Sequence, residues 1–142
     1  MKIYSHTQRA GRWLWIPAVA CLFLVGLAVW TRIWAVLGSL AVIGGLAWLF
    51  SSLTVEVADG RLSWRFGPGW LKKQVPLGDI AAALPVKTTW KEGWGIHYTR
   101  FGWLYNIAGF EAVAFELKNG KRFAVGTDEP SRLLSALQAN AA

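Results

Sequence analysis

The sequence predicts a membrane α-helical hairpin, two transmembrane helices, followed by a mainly-β domain with a C-terminal capping helix. Three observations predict it. Two apolar runs of 18 residues, 13–30 and 33–50, follow one another with Arg32 as the one charge between Trp13 and Phe50. From Leu53 onward the apolar residues alternate with a period of two. The last segment then places Leu133, Leu134 and Leu137 on one helical stripe.

The first element follows from how unevenly the apolar residues are spread. The 142-residue chain is 54% hydrophobic but only 16% charged, below the roughly 25% usual for soluble domains. Each apolar run would make about 27 Å of helix, close to a bilayer core of about 30 Å. One continuous helix through both would be twice too long, so the break is expected at Thr31-Arg32, with antiparallel neighbours on either side. Indole rings favour the headgroup zone. Trp13 and Trp15 mark one end of the first run and Trp30 the other, and Trp34 and Trp48 bracket the second. Pro17 falls in a first helical turn, where its missing N–H costs least. Ala35, Ser39, Ala41, Gly44 and Gly45 are small enough for close helix approach. Cys21 is the single cysteine, which excludes an intrachain disulfide.

A cleaved signal peptide is the competing reading of the first run, with Arg9 and Arg12 ahead of an apolar core. No small-residue cleavage site precedes a polar mature start, so a retained anchor is expected. Net charge is +7, and Lys2, Arg9, Arg12 and Arg32 precede the first acid, Glu56. Residues 53–142 carry 11 basic and 8 acidic side chains. The basic excess therefore concentrates beside the apolar runs, which points to anionic lipid headgroups and away from nucleic acid. The Lys/Arg asymmetry predicts a multi-pass membrane protein with both termini cytoplasmic. The expected domains are a cytoplasmic N-terminal tail (1–12), a transmembrane hairpin (13–52) and a cytoplasmic β domain (53–142).

Within the β domain, LTVEV leads into an Asp59-Gly60 turn. RLSWRF follows, with Leu62, Trp64 and Phe66 on one face and Arg61, Ser63 and Arg65 on the other. Gly67-Pro68-Gly69 is a second turn. LKKQVPL and DIAAALPVK are the next strands, and 93–96 opens another extended stretch. EAVAFELKNGKRFAV reads as a hairpin turning at Asn119-Gly120, with Val113, Phe115, Leu117, Phe123 and Val125 on one face. Thr127 or Asp128 can cap the final helix, and Pro130 suits its first turn. About seven strands and one amphipathic helix make a small bent sheet or barrel, with the helix plugging an open end.

FGPGWLKKQVPLGDI, GWGIHYTRFGWLYNIAG and KNGKRFAVGTDEPSRLLSAL, in this order, resemble the small bacterial membrane proteins that carry a pleckstrin-homology-like (PH-like) domain. The resemblance covers residues 53–137 and is most specific over 93–109 and 126–130; the preceding hairpin also fits that group, which implies a bacterial inner (cytoplasmic) membrane location. It implies a PH-like, strongly bent barrel of about seven strands with a C-terminal capping helix. It implies no settled activity, so no catalytic role carries over to any residue.

Enzyme signatures are missing: there is no GxxxxGK[ST], HExxH or GxSxG. The two histidines, His6 and His97, have no partner specified by spacing. No paired carboxylates stand out. No catalytic residue, cofactor or metal site is expected. The densest feature is the aromatic-basic stretch holding Trp90, Lys91, Trp94, Tyr98, Arg100, Phe101 and Trp103. Amphipathic rings with flexible cations suit a membrane interface or a protein hot spot. Its large rings also suit a barrel core. Lys72, Lys73 and Lys87 are the candidates for a lipid headgroup. The expected function is that of a non-enzymatic, membrane-anchored interaction or scaffold protein, an accessory subunit of a larger membrane protein complex. The alternative is a lipid-headgroup-responsive sensor. Expected partners are membrane lipids and a membrane protein, with self-association left open.

Overall fold

The computed structural model describes residues 2–93 and 95–141. Among these residues nine strands form two sheets, joined by three α-helices and two short 3-10 turns. Strand β1 (Lys2–Arg9) leads through a 3-10 turn (Gly11–Leu14) into α1 (Trp15–Thr31) and α2 (Ala35–Leu49). Then come β2 (Ser52–Ala58), β3 (Arg61–Phe66) and β4 (Leu71–Pro76). A second 3-10 turn (Leu77–Asp79) opens β5 (Ile80–Lys87), followed by β6 (Gly95–Thr99), β7 (Gly102–Asn106), β8 (Glu111–Leu117) and β9 (Arg122–Gly126). Helix α3 (Pro130–Ala141) ends the described chain.

The expected transmembrane hairpin is corrected. Two antiparallel helices do form, but among the described residues no helix is long and apolar enough to cross a membrane. Helix α1 has 17 residues and α2 has 15. At about 1.5 Å per residue these are about 26 and 23 Å, short of the roughly 20 residues that a bilayer core demands. The ends of each apolar run are used elsewhere. Trp13 and Leu14 belong to the 3-10 turn. Arg32 takes a left-handed conformation (φ 56°) that stops α1, and Ile33 and Trp34 form the connection. The multi-pass inner-membrane placement with both termini cytoplasmic rested on two crossings, and it falls with them.

The N-terminal segment is a strand. β1 pairs antiparallel with β2, from Arg9 opposite Ser52 to Lys2 opposite Ala58. The helical hairpin is therefore an insertion between two neighbouring strands of one sheet. At its base the Ala10 N–H donates to the Ser51 carbonyl at 2.8 Å.

The expected seven-stranded PH-like barrel is corrected as well. The first sheet is a four-stranded antiparallel meander, β1-β2-β3-β4, and the second has the order β5-β8-β9-β7-β6 with β7 and β9 parallel. The alternation read from the sequence sets the inner faces. Leu53, Val55, Val57, Leu62, Trp64 and Phe66 of the first sheet pack on Val113, Phe115, Phe123 and Val125 of the second. Trp64 stacks on Phe123 (centroids 4.9 Å apart, planes 19°), and Phe123 stacks on Phe115 (4.9 Å, 16°). Helix α3 contributes the fully buried Leu133, with Leu134 and Leu137 packed beside it. Thr127 Oγ1 accepts the Glu129 N–H at the start of that helix.

Two sheets stacked in this way have two seams. At one, the edge strands β1 and β5 are bridged by α3, which touches both. At the other, β4 and β6 are the edge strands and have no further strand partner among the described residues. The parallel β7–β9 pair approaches so closely that a Cβ at Gly102 (φ +86°) would lie 2.1 Å from the Arg122 carbonyl oxygen. Gly120 has almost the same φ (+85°) but open space around it. Gly120→Ala is expected to cost only the left-handed penalty of about 1–2 kcal/mol. Gly102→Ala adds overpacking against backbone, about 1–3 kcal/mol more. Urea unfolding of the two variants measures the difference directly.

Candidate functional site

Two surfaces stand out. The first is the helical hairpin. Ala28 is the one buried residue of α1, and α2 has none. Large apolar side chains project on all sides, including Leu22 (73% exposed), Phe23 (68%), Trp30 (87%) and Val42 (61%). An apolar patch of this extent is far outside what a surface facing water alone carries.

The second is a cleft along the open β4/β6 seam. It has two adjoining parts of about 510 and 660 Å³ that share Trp64, Lys73, Trp103 and Tyr105 as common walls. In register, Trp64 faces Lys73 across the β3–β4 pair. Directly paired residues share a sheet face, so Lys73 projects toward the inner side of its edge strand. Tyr105 tilts against Trp64 at 5.2 Å, and Tyr98 meets Trp103 edge-on at 5.9 Å. Lys72 lines the smaller part, and Arg100, Lys121 and Arg122 line the larger. Among the described residues no Asp or Glu lines either part. Trp64 is 3% exposed, and its indole Nε1–H has no hydrogen-bond partner among the described residues. Trp70 lines the cleft at one end and also meets Trp48 of α2 edge-on at 5.7 Å, so the cleft begins beside the hairpin.

The candidates expected from sequence divide between these surfaces and others. Lys72, Lys73, Tyr98, Arg100 and Trp103 come together at the cleft. Trp90 is exposed, with Lys91 Nζ 5.9 Å from its ring centroid, and neither lines the cleft. Phe101 packs on the outer face of the second sheet against Leu104, Ala112 and Ala124. Lys87 stands at the end of β5, where its carbonyl accepts a hydrogen bond from Arg100. Trp94 lies outside the described residues. Arg100 is partly committed, since its Nε lies 2.8 Å from Glu92 Oε1 and its guanidinium covers the Phe101 ring at 4.6 Å. The Thr89 backbone N–H, its hydroxyl and Arg100 hold the Glu92 carboxyl below its usual range. His97 pairs across to Leu104, with a buried Nε2 that has no partner among the described residues.

Sequence reading missed Trp64, Trp70 and Lys121 as cleft residues, while Tyr105 closes the aromatic stretch that it singled out. The pairing of RLSWRF with LKKQVP was the available signal, because a tight turn between them sets a lysine opposite Trp64. It also missed a polar cluster at the covered seam. His6 Nε2 lies 2.5 Å from Asp128 Oδ1, and His6 Nδ1 lies 3.3 Å from Glu129 Oε2. Arg132 donates to Glu129 Oε1 at 2.8 Å, and Tyr4 donates to Glu129 Oε2 at 3.4 Å. The alternation in KIYSHTQR places Tyr4, His6 and Gln8 on one face, which was legible once that segment is read as a strand.

Comparison with known proteins adds no assignment: no protein-family model, no curated protein and no solved structure matches the chain. The described class is therefore structural, a two-sheet β sandwich with an apolar helical hairpin inserted between its first two strands.

The covered seam has a pH signature. Burial, aided by the Glu129 carboxylate, pushes the Tyr4 phenol up from 10.0 to about 12. The unfolded chain ionises Tyr4 near 10 while the folded chain resists, so this contribution is complete below pH 10 and is lost as pH rises toward 12. Denaturant midpoints between pH 9 and 12 should fall more steeply for the native chain than for Tyr4→Phe. Equal slopes would show that Tyr4 ionises freely.

Proposed function

We propose that the chain is a non-enzymatic interaction or scaffold protein, an accessory subunit that docks through its helical hairpin onto the apolar surface of a membrane-protein partner. The observation that carries this is the hairpin itself. Its helices are apolar around their whole circumference, and a helix of that kind is stable when something apolar surrounds it. The β sandwich holds both ends of the hairpin at one point, through β1 and β2. The hairpin is thus tied down at both ends rather than trailing on a linker, and the domain stays at a short distance from whatever the hairpin enters. Confinement of this kind raises effective concentration at the partner without any new contact.

A lipid-responsive reading has one observation in its favour, the exposed Lys72-Lys73 pair beside the hairpin-proximal end of the cleft. Lys87 does not join it, so the cationic surface is smaller than the three lysines expected from sequence.

Photo-crosslinking separates these readings. A photoreactive residue at Leu22 or Val42 in the native cell should capture the same single membrane protein, which should co-purify in equal stoichiometry in mild detergent. Leu22→Glu should abolish co-purification, while the same probe at Arg65, on the outer face of β3, should capture nothing. Adducts to lipid alone, adducts only between copies of the chain, or a monodisperse monomer without detergent would overturn the accessory role.

A further inference from the structure

We infer that the open-seam cleft is a binding site for a small anionic amphiphile, a molecule with an apolar body and one carboxylate or phosphate head. Shape is the first observation. Each part of the cleft falls within the roughly 300–1,000 Å³ typical of small-molecule sites. Its walls are aromatic, and Trp103 is half exposed where a ring or chain would lie against it. Charge is the second. Lys72, Lys73 and Lys121 line the cleft without a carboxylate partner among the described residues, and no acid lines it. This arrangement favours an anion and disfavours a cation of equal apolar size. The third observation is the unpartnered indole N–H of Trp64. A buried donor left unpaired carries an uncompensated desolvation cost. Trp64 walls both parts of the cleft while its indole nitrogen is itself covered, so the N–H resonance reports a ligand that displaces the ring.

An inward lysine on an edge strand also serves to block edge-to-edge pairing of sheets. That role explains Lys73 alone. It explains neither the acid-free aromatic walls nor the unpaired Trp64 donor. The inference stands apart from hairpin docking, because it concerns the seam between the sheets and is read by a different signal.

The test is titration of the full chain in a nonionic maltoside, following the Trp64 indole N–H resonance by NMR, with each probe below its own critical micelle concentration. Octyl phosphate should bind saturably at one site and shift that resonance. Octylammonium, with the same chain and opposite charge, and glycerol phosphate, with a head and no apolar body, should bind at least tenfold more weakly. Lys73→Gln should weaken octyl phosphate about tenfold, Trp103→Leu should weaken it too, and Lys118→Gln should leave it unchanged; thermal unfolding verifies that each variant is folded. Vesicles of phosphatidylcholine with and without phosphatidylglycerol locate the source. A response to the anionic vesicles as well as to octyl phosphate assigns the ligand to the bilayer, and a response to octyl phosphate alone assigns it to a soluble amphiphile. Equal binding of octylammonium would reduce the cleft to an apolar surface, and equal binding of glycerol phosphate would reduce it to a plain anion site. Either result, or no shift at all with octyl phosphate, overturns the inference. Hairpin crosslinking would be unaffected by such a failure.

Discussion

The pairing of β1 with β2 is the constraint on which the rest of the molecule depends. Between Arg9 and Ser52 the chain makes two helices and returns to the adjacent position of the same sheet. An unstructured loop of that length would add closure entropy, though only logarithmically with its length. An antiparallel helix pair returns the chain to its starting point by its own geometry. The connection of α2 to the sheet is correspondingly tight. The Gly67 N–H donates to the Ser52 carbonyl at 2.9 Å, and Phe50 packs edge-on to Phe66 at 5.2 Å. A Cβ at Gly67 (φ +47°) would lie 2.6 Å from the Leu49 carbonyl oxygen, so the β3–β4 turn is seated directly on the end of α2.

That pairing decides which seam is covered. With β1 in place, the first sheet ends at Tyr4, His6 and Gln8, and these residues reach the β7–β8 loop and the segment that leads into α3. Gln8 Nε2 donates to the Ala108 carbonyl at 3.1 Å, while His6 and Tyr4 meet Asp128 and Glu129. The opposite edge, β4, has no such cover. Its sequence, LKKQVP, offers two lysines and a terminal proline, which resist further strand pairing and leave an aromatic interior open to small molecules. Covered and open seams therefore follow from the same placement of one strand. The hairpin and the cleft meet at Trp48 and Trp70, so the two candidate surfaces are neighbours.

Much of the β core was legible. RLSWRF and EAVAFELKNGKRFAV alternate cleanly because one face of each strand is buried, and the residues assigned inward are those that pack together: Leu62, Trp64, Phe66, Val113, Phe115, Phe123 and Val125. The final helix was legible from its leucine stripe. The hairpin was half legible. Hydropathy marks how far an apolar run extends, but not where a 3-10 turn or a left-handed residue ends its helix, and those few residues separate a bilayer-crossing length from what is seen. KIYSHTQR was misread because its basic residues, next to an apolar run, carry the same signal as a flanking tail, while its weaker alternation of Tyr4, His6 and Gln8 went unused. The cleft was partly legible. Tyr98, Arg100 and Trp103 belong to it, but Trp90 and Lys91 lie away from it, since a count of aromatic and basic residues does not say which strand is an edge. Lys72 and Lys73 were picked for charge alone, whereas the register separates them, setting Lys73 opposite Trp64 and Lys72 opposite Arg65.

Amide hydrogen exchange tests the central claim most directly. If β1 is a true strand of the first sheet, the alternate amides of residues 4–9 that face β2 exchange slowly, with protection approaching that of Leu53, Val55 and Val57 in the adjacent central strand. If residues 2–9 instead exchange at the rate of an unstructured tail while β2 and β3 stay protected, the hairpin is not inserted in the sheet, the covered seam is lost, and the account fails.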